Sequence, residues 1–163
     1  WFQGRMEFTH RALGNRSILG DPRSANVKDL INKAVKYREN FRPFAPAVME
    51  EFSHQIFDLK KSTKVDFMEK TVQVKKNWQK TLPAITHVDN SARVQTVSKS
   101  YNKKFHNLIN EFYKITKVPV LVNTSFNLNG QPIVCDPTDA VKTFYSCGLD
   151  ILAIGDFVVE KND

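Results

Sequence analysis

The stretch 118-VPVLVNTSFNLNGQPIVCDPTDAVKTFYSCGLDILAIGDFVVE-160 decides the fold class. Val118 to Val122 is a short β-branched apolar run and reads as a buried strand. Asp136, Pro137 and Asp139 then supply a cap, a proline at the first helical position and an early acid, and Gly148 sits where a helix stops, so a helix is expected over about Thr138 to Cys147. Ile151 to Ile154 and Phe157 to Glu160 read as two closing strands around Gly155 and Asp156. Strand, helix and strands within 43 positions point to a sheet covered by helices.

Upstream the same mixture continues. Val27, Leu30, Ile31, Ala34 and Val35 recur at helical spacing, with Ser24 or Asn26 placed to cap the start and an end expected near Tyr37 or Arg38. Pro43 and Pro46 forbid a regular helix, and Ala45 to Met49 suits a short strand. Phe67 to Val74 mixes β-branched and aromatic residues as a strand does, and Asn77 to Leu82 fits one or two helical turns before Pro83. Ala84 to Val88 and Ala92 to Val97 flank Asp89, Asn90 and Ser91, which predicts a hairpin or a binding loop between two strands. Phe105, Leu108, Ile109, Phe112 and Tyr113 form a second helical stripe. An α/β or α+β sheet domain follows, with no repeat or internal linker.

Composition narrows the class. The 163 residues suit one ordinary domain, residues 1–163, and 41% hydrophobic against 25% charged residues is the balance of a globular chain. No apolar run approaches the ~20 residues that span a bilayer, so a cytoplasmic protein without membrane contact is expected. Cys135 and Cys147 are too few and too far apart for a disulfide scaffold or a thiolate metal site, and read as buried thiols. A chain that opens at Trp1 and reaches a dense motif within four residues is expected to be a piece of a longer protein. The net charge of +7, from 24 basic and 17 acidic residues, favours anionic partners.

Four clusters could carry chemistry. Arg5, Arg11, Arg16 and Arg23 stand among Gly4, Gly14 and Gly20, a combination that suits a polyphosphate because guanidinium forks grip phosphate oxygens and glycines admit an anion to the backbone; a solvated basic loop has the same composition. Lys36, Arg38 and Arg42 alternate with Tyr37, Phe41 and Phe44 at the end of a helix, where cations are also favoured by the helix dipole. His87, Asp89, Ser91 and Arg93 surround the expected turn; a lone histidine here reads as packed and hydrogen-bonded, while Arg93, flanked by apolar residues, should face a ligand or an acid. Asn123, Thr124 and Ser125 follow the buried strand, with Gly130 available for a tight turn, and serve equally as neutral donors at a sheet edge or as a Ser/Thr turn. No nucleophile and base pair is evident, nor a Walker pattern. Cations with a few neutral donors are the equipment of phosphate positioning.

The blocks GRMEFTHRALGNRSILGDPR, KYRENFRPFAP, PAITHVDNSARVQTV, VNTSFNLNGQPIV and DPTDAVKTFYSCGLDILAIGDFVVEK, in this order, resemble the C-terminal region of the O-carbamoyltransferases that include nodulation and antibiotic-tailoring enzymes. The resemblance implies a YrdC-like domain, an open twisted mixed sheet with flanking helices and a positively charged concave face. It implies binding of ATP, with Mg²⁺, and of carbamoyl phosphate, formation of carbamoyladenylate and release of pyrophosphate. A separate N-terminal domain, the one expected to bind iron, would pass the carbamoyl group to an acceptor hydroxyl. Matched position by position, Arg11, Lys36, Arg42, Arg93, Asn123 and Ser125 correspond to residues lining the family's pocket, with Lys36 and Arg42 as the catalytic cations. Thr9 and His10 stand where many relatives carry Gly-Pro or a similar small pair. Two other readings remain: a double-stranded RNA or nucleotide-binding module without catalysis, since YrdC-type domains share a basic concavity with duplex RNA binders, and a related enzyme of threonylcarbamoyl adenylate synthesis.

Overall fold

Phe105 and Ile109, spaced to share one helical face, meet Ala47, Met49, Val97 and Leu121 on strands, and this contact organises one side of the molecule. The computed structural model describes residues 1–36 and 44–161. In chain order the elements are β1 (Ser17–Gly20), α1 (Asn26–Ile31), β2 (Ala45–Met49), α2 (Ser53–Ile56), β3 (Lys70–Gln73), α3 (Lys76–Gln79), β4 (Ser91–Val97), α4 (Lys103–Thr116), β5 (Val120–Ser125), α5 (Pro137–Tyr145), β6 (Ile151–Ile154) and β7 (Phe157–Glu160).

Five strands form one open mixed sheet in the order β1-β5-β2-β4-β3; β2 and β4 run parallel, and the remaining neighbours are antiparallel. The sheet is flanked by helices and is not closed into a barrel, the α/β class expected from the sequence. Strand β2 is central and wholly buried. Because side chains alternate along a strand, Ala47, Met49, Val97 and Leu121 face α4, while Val48, Val94, Val120 and Val122 join the larger core with Val35, Ile56, Phe57, Leu82, Ile85 and Phe144 on the other side. The hairpin β6–β7 is joined to Phe2 through the Phe2 N–H to Ala153 O bond of 2.8 Å. No helix among the described residues is long and apolar enough to cross a membrane.

Of the caps expected from the sequence, the one at α5 forms and the one at α1 does not, and α4 carries a side-chain cap as well. Asn102 accepts from Phe105 N–H at 3.0 Å and opens α4, and Asp136 accepts from Asp139 N–H at 2.9 Å ahead of Pro137 in α5. At α1 neither Ser24 nor Asn26 caps with its side chain; the start is Ala25, with a backbone bond from Val27 N–H to Ser24 O. The helix then widens into a π-helical segment, Asn32–Lys36, a form often found at functional sites. Its expected end at Tyr37 or Arg38 lies outside the described residues.

Three expectations are corrected. Ala84 to Val88 is no strand: Thr86 N–H bonds to Leu82 O at 3.2 Å, and this turn after Pro83 buries Ala84 and Ile85 completely. The antiparallel partner of β4 is β3, with Thr71 opposite Arg93, although the turn itself forms, with His87 N–H bonded to Ser91 O. The strand expected over Phe67 to Val74 is shorter, because Met68 takes φ 57° and extended pairing begins only at Lys70. Cys147 is buried as expected, but Cys135 is exposed at the lip of α5.

Candidate anion site

The face that α4 covers is only half covered. Past Ala47, toward the starts of β2 and β4 and the end of β5, the same face carries Ala45, Arg93, Asn123 and Ser125 and is roofed by the loop containing His10, Arg11 and Ala12. Between roof and sheet lies a pocket of about 120 Å³, also lined by Phe44, Met68 and Thr124. That volume is below the roughly 300–1,000 Å³ of sites that enclose drug-sized ligands. Two guanidinium groups and no carboxylate line it among the described residues, so the field inside favours an anion.

The roof is held from below. Glu7 Oε1 accepts from Leu13 N–H at 2.7 Å and from Asn15 N–H at 2.8 Å, fixing the backbone two residues beyond Arg11. Arg16 secures the base of the loop: its guanidinium donates to the carbonyls of Gln3, Gly4, Asn15 and Cys135 and lies 3.5 Å from the centre of the Phe2 ring. It is 4% exposed, and its burial pulls its pKa below the usual arginine range. Gly14 takes φ 114°, and a Cβ there would overlap the Phe105 ring, so this glycine permits loop and helix to touch. Arg23 pairs with Asp21 at 2.6 Å on the surface, and the carboxyl is held below its usual range by that bond. Of the arginine cluster read from the sequence, Arg11 therefore lines the pocket, Arg16 is a backbone anchor, and Arg23 closes a surface ion pair.

Lys36 stands one layer behind the pocket. The residue is 6% exposed, and its ammonium donates to Ser125 O at 2.7 Å, Ser125 Oγ at 3.2 Å, Asn127 O at 2.9 Å and Asn127 Oδ1 at 2.6 Å. The π-helical turn carries the side chain to the strand end, where the cation holds the Ser125–Asn127 corner and places positive charge beside a pocket residue. Ser125 Oγ in turn donates to Asn127 Oδ1 at 2.6 Å. Asn123, Thr124 and Ser125 are the last three residues of β5 and do not follow it, as the sequence had suggested. Arg42 lies outside the described residues.

Asn123 is 1% exposed and belongs to a buried amide chain. Gln95 Nε2 donates to Leu13 O at 2.8 Å, and Asn123 Nδ2 donates both to Gln95 Oε1 at 2.8 Å and to Ala12 O at 3.1 Å. The two amides meet over β2, where Ala45 and Ala47 leave room for them. Gln95 escaped the sequence reading, although Arg93 expected on an inward position of a strand places residue 95 on the same face by period two. His10, which lines the pocket, was noted only as a departure from the usual pair.

His87, Asp89 and Ser91 lie away from the pocket. The Asp89 carboxyl accepts from the Ser91 hydroxyl at 2.6 Å and from Ser91 N–H at 2.9 Å, and these bonds, with a smaller contribution from His87 Nδ1 at 3.1 Å, hold its pKa at about 2. The trio builds the turn that launches β4. Among the described residues no three His, Cys, Asp or Glu side chains converge as a metal cage would require.

The chain is an α/β domain whose open mixed sheet carries a small pocket, lined by two arginines, under a braced loop. The chain belongs to the carbamoyltransferase C-terminus family, whose model matches residues 1–161. It is 51% identical over 162 residues to nodulation protein NolO of Bradyrhizobium diazoefficiens, covering 99% of this chain and 30% of that protein. It is likewise 51% identical over 162 residues to nodulation protein NolNO of Sinorhizobium fredii, covering 99% of this chain and 24% of that protein. Nodulation protein U of Rhizobium tropici is 41% identical over 137 residues, 84% of this chain and 23% of that protein. The chain thus spans less than a third of the length of these relatives.

Proposed function

We propose that the pocket binds carbamoyl phosphate against the phosphates of ATP and forms carbamoyladenylate, as the activating part of an O-carbamoyltransferase. The supporting observation is convergence: Arg11, Arg93, Asn123 and Ser125, from three distant segments, line one small pocket with the Lys36 ammonium directly behind Ser125. Family membership supplies the carbamoyl chemistry, and the donor set suits its charges.

Atom balance sets the order of events. Release of pyrophosphate from ATP requires an oxygen nucleophile at the α-phosphorus, and that oxygen belongs to carbamate. Carbamoyl phosphate must therefore first lose its phosphoryl group to water, giving carbamate and orthophosphate. Carbamate then attacks and pyrophosphate leaves. Arg11 and Arg93 are positioned to stabilise negative charge on the phosphoryl oxygens, the main service a protein renders in phosphoryl transfer. Lys36 acts through the corner it holds, and Arg42 is proposed as a further cation. Mg²⁺ would be held chiefly by the nucleotide phosphates, since it commonly needs only one or two protein carboxylates besides them. Transfer to the acceptor hydroxyl, and any iron, belongs in this reading to a domain outside the 163 residues.

Carbamoyl phosphate should stimulate exchange of labelled pyrophosphate into ATP by the intact protein with Mg²⁺ present. Absence of exchange, together with salt-sensitive duplex RNA binding that neither ATP nor carbamoyl phosphate displaces, would replace this reading with a nucleic-acid module.

A further inference from the structure

The buried amide chain has a direction. Leu13 O can only accept, so Gln95 must turn its NH₂ toward it, and its carbonyl oxygen then faces Asn123. Asn123 meets two acceptors, Gln95 Oε1 and Ala12 O, and must present its NH₂ to both. Flipping Asn123 would set oxygen against oxygen twice. One polar atom of this pocket-lining side chain is left over: Asn123 Oδ1 is buried and has no hydrogen-bond partner among the described residues. A buried acceptor left unpaired is costly, and a ligand that brings an N–H removes the cost.

We infer that Gln95 is a positioning residue that locks Asn123 with its carbonyl oxygen available to the ligand, so that the site selects an NH₂-bearing phosphoanhydride, a carbamoyl group, over acyl or carboxyl analogues of the same shape. The inference rests on the proposed carbamoyl phosphate site and adds the source of its selectivity. Arg11 and Arg93 bind the phosphate common to all such analogues and cannot distinguish them. A carbamoyl NH₂ donates to Asn123 Oδ1, whereas the methyl group of acetyl phosphate leaves that oxygen unpaired, a difference that sites built for hydrogen bonding use to reject near-isosteres. Ala45 and Ala47 belong to the device, because a larger side chain on β2 would part the two amides.

Calorimetric titration of the intact protein with carbamoyl phosphate, acetyl phosphate and inorganic phosphate tests it. Wild type should bind carbamoyl phosphate about tenfold more tightly than acetyl phosphate, the effect of one buried acceptor left unpaired. In Gln95→Met the preference should fall to about twofold or less while inorganic phosphate affinity stays within about twofold, a pattern that general loosening of the pocket would not give. Asn123→Ser should lose the preference in the same way, and decides the matter together with wild type if circular dichroism shows Gln95→Met unfolded. Clear binding of both acyl phosphates without preference, or a preference that survives in the folded variants, overturns the role of Gln95 and leaves the phosphate pocket standing. Failure of wild type to bind any of the three compounds overturns the pocket reading itself.

Discussion

The dry half and the polar half of one sheet face are built by the same three strands, two residues apart. On β4, Val97 packs under α4, Gln95 is bonded to Leu13 O and Asn123, and Arg93 lines the pocket; on β5, Leu121 is dry while Asn123 and Ser125 are polar; on β2, Met49 and Ala47 are dry and Ala45 lines the pocket. The strands thus serve stability at one end and recognition at the other, and helix α4 marks the boundary. Polar groups in the second half are largely bonded, as the Gln95 amide and the Asn123 NH₂ are.

Substitutions should separate the halves. The largest effect is expected for Phe105→Ala, which empties a fully buried position between α4 and the loop at Gly14. It should cost about 3–5 kcal/mol of stability in denaturant unfolding, with carbamoyl phosphate affinity little changed in the molecules that remain folded. Next, Arg11→Ala should slow pyrophosphate exchange by roughly 10²–10³-fold, the usual loss for a charge-stabilising donor, with little change in the unfolding midpoint. If Arg11→Ala unfolds the protein, or Phe105→Ala abolishes binding in folded molecules, the halves are not separate.

How the sequence foretold each half differs in kind. Apolar periodicity marks the dry half, so the α4 stripe, the strand at Ala45 to Met49 and the α5 cap were legible in advance; of the residues matched by family resemblance, Arg11, Arg93, Asn123 and Ser125 line one pocket. The hairpin at Ala84 to Val97 misled because the apolar residues of a buried turn and of a strand alternate alike; what separates them is pairing with β3, twenty positions upstream and invisible to local pattern. By composition alone Arg16 and Arg11, five residues apart in one loop, were indistinguishable, and only the family resemblance singled out Arg11. Burial against four backbone carbonyls fixes one, and an open volume receives the other. Gln95 was missed because a lone amide in a strand carries no charge signal, and its meaning lies in Leu13 O and Asn123, both remote in sequence.

The smallest expected effect concerns the turn that sets the register of β4 for both halves. The Asp89 carboxyl titrates at about 2 in the folded protein, below the ~3.9 of an unfolded chain. Its contribution is therefore complete above pH ~4 and is lost as pH falls through about 2. Carboxyl NMR shifts of Asp89 should move only near pH 2; a midpoint near pH 4 would show that the Ser91 bonds do not form in solution.

The most direct measurement is a crystal structure of the intact protein with carbamoyl phosphate. The phosphate should lie between the Arg11 and Arg93 guanidinium groups and the carbamoyl NH₂ on Asn123 Oδ1. Ligand bound at another face, or seated in this pocket with its NH₂ turned away from Asn123 and its phosphate away from both arginines, would contradict it.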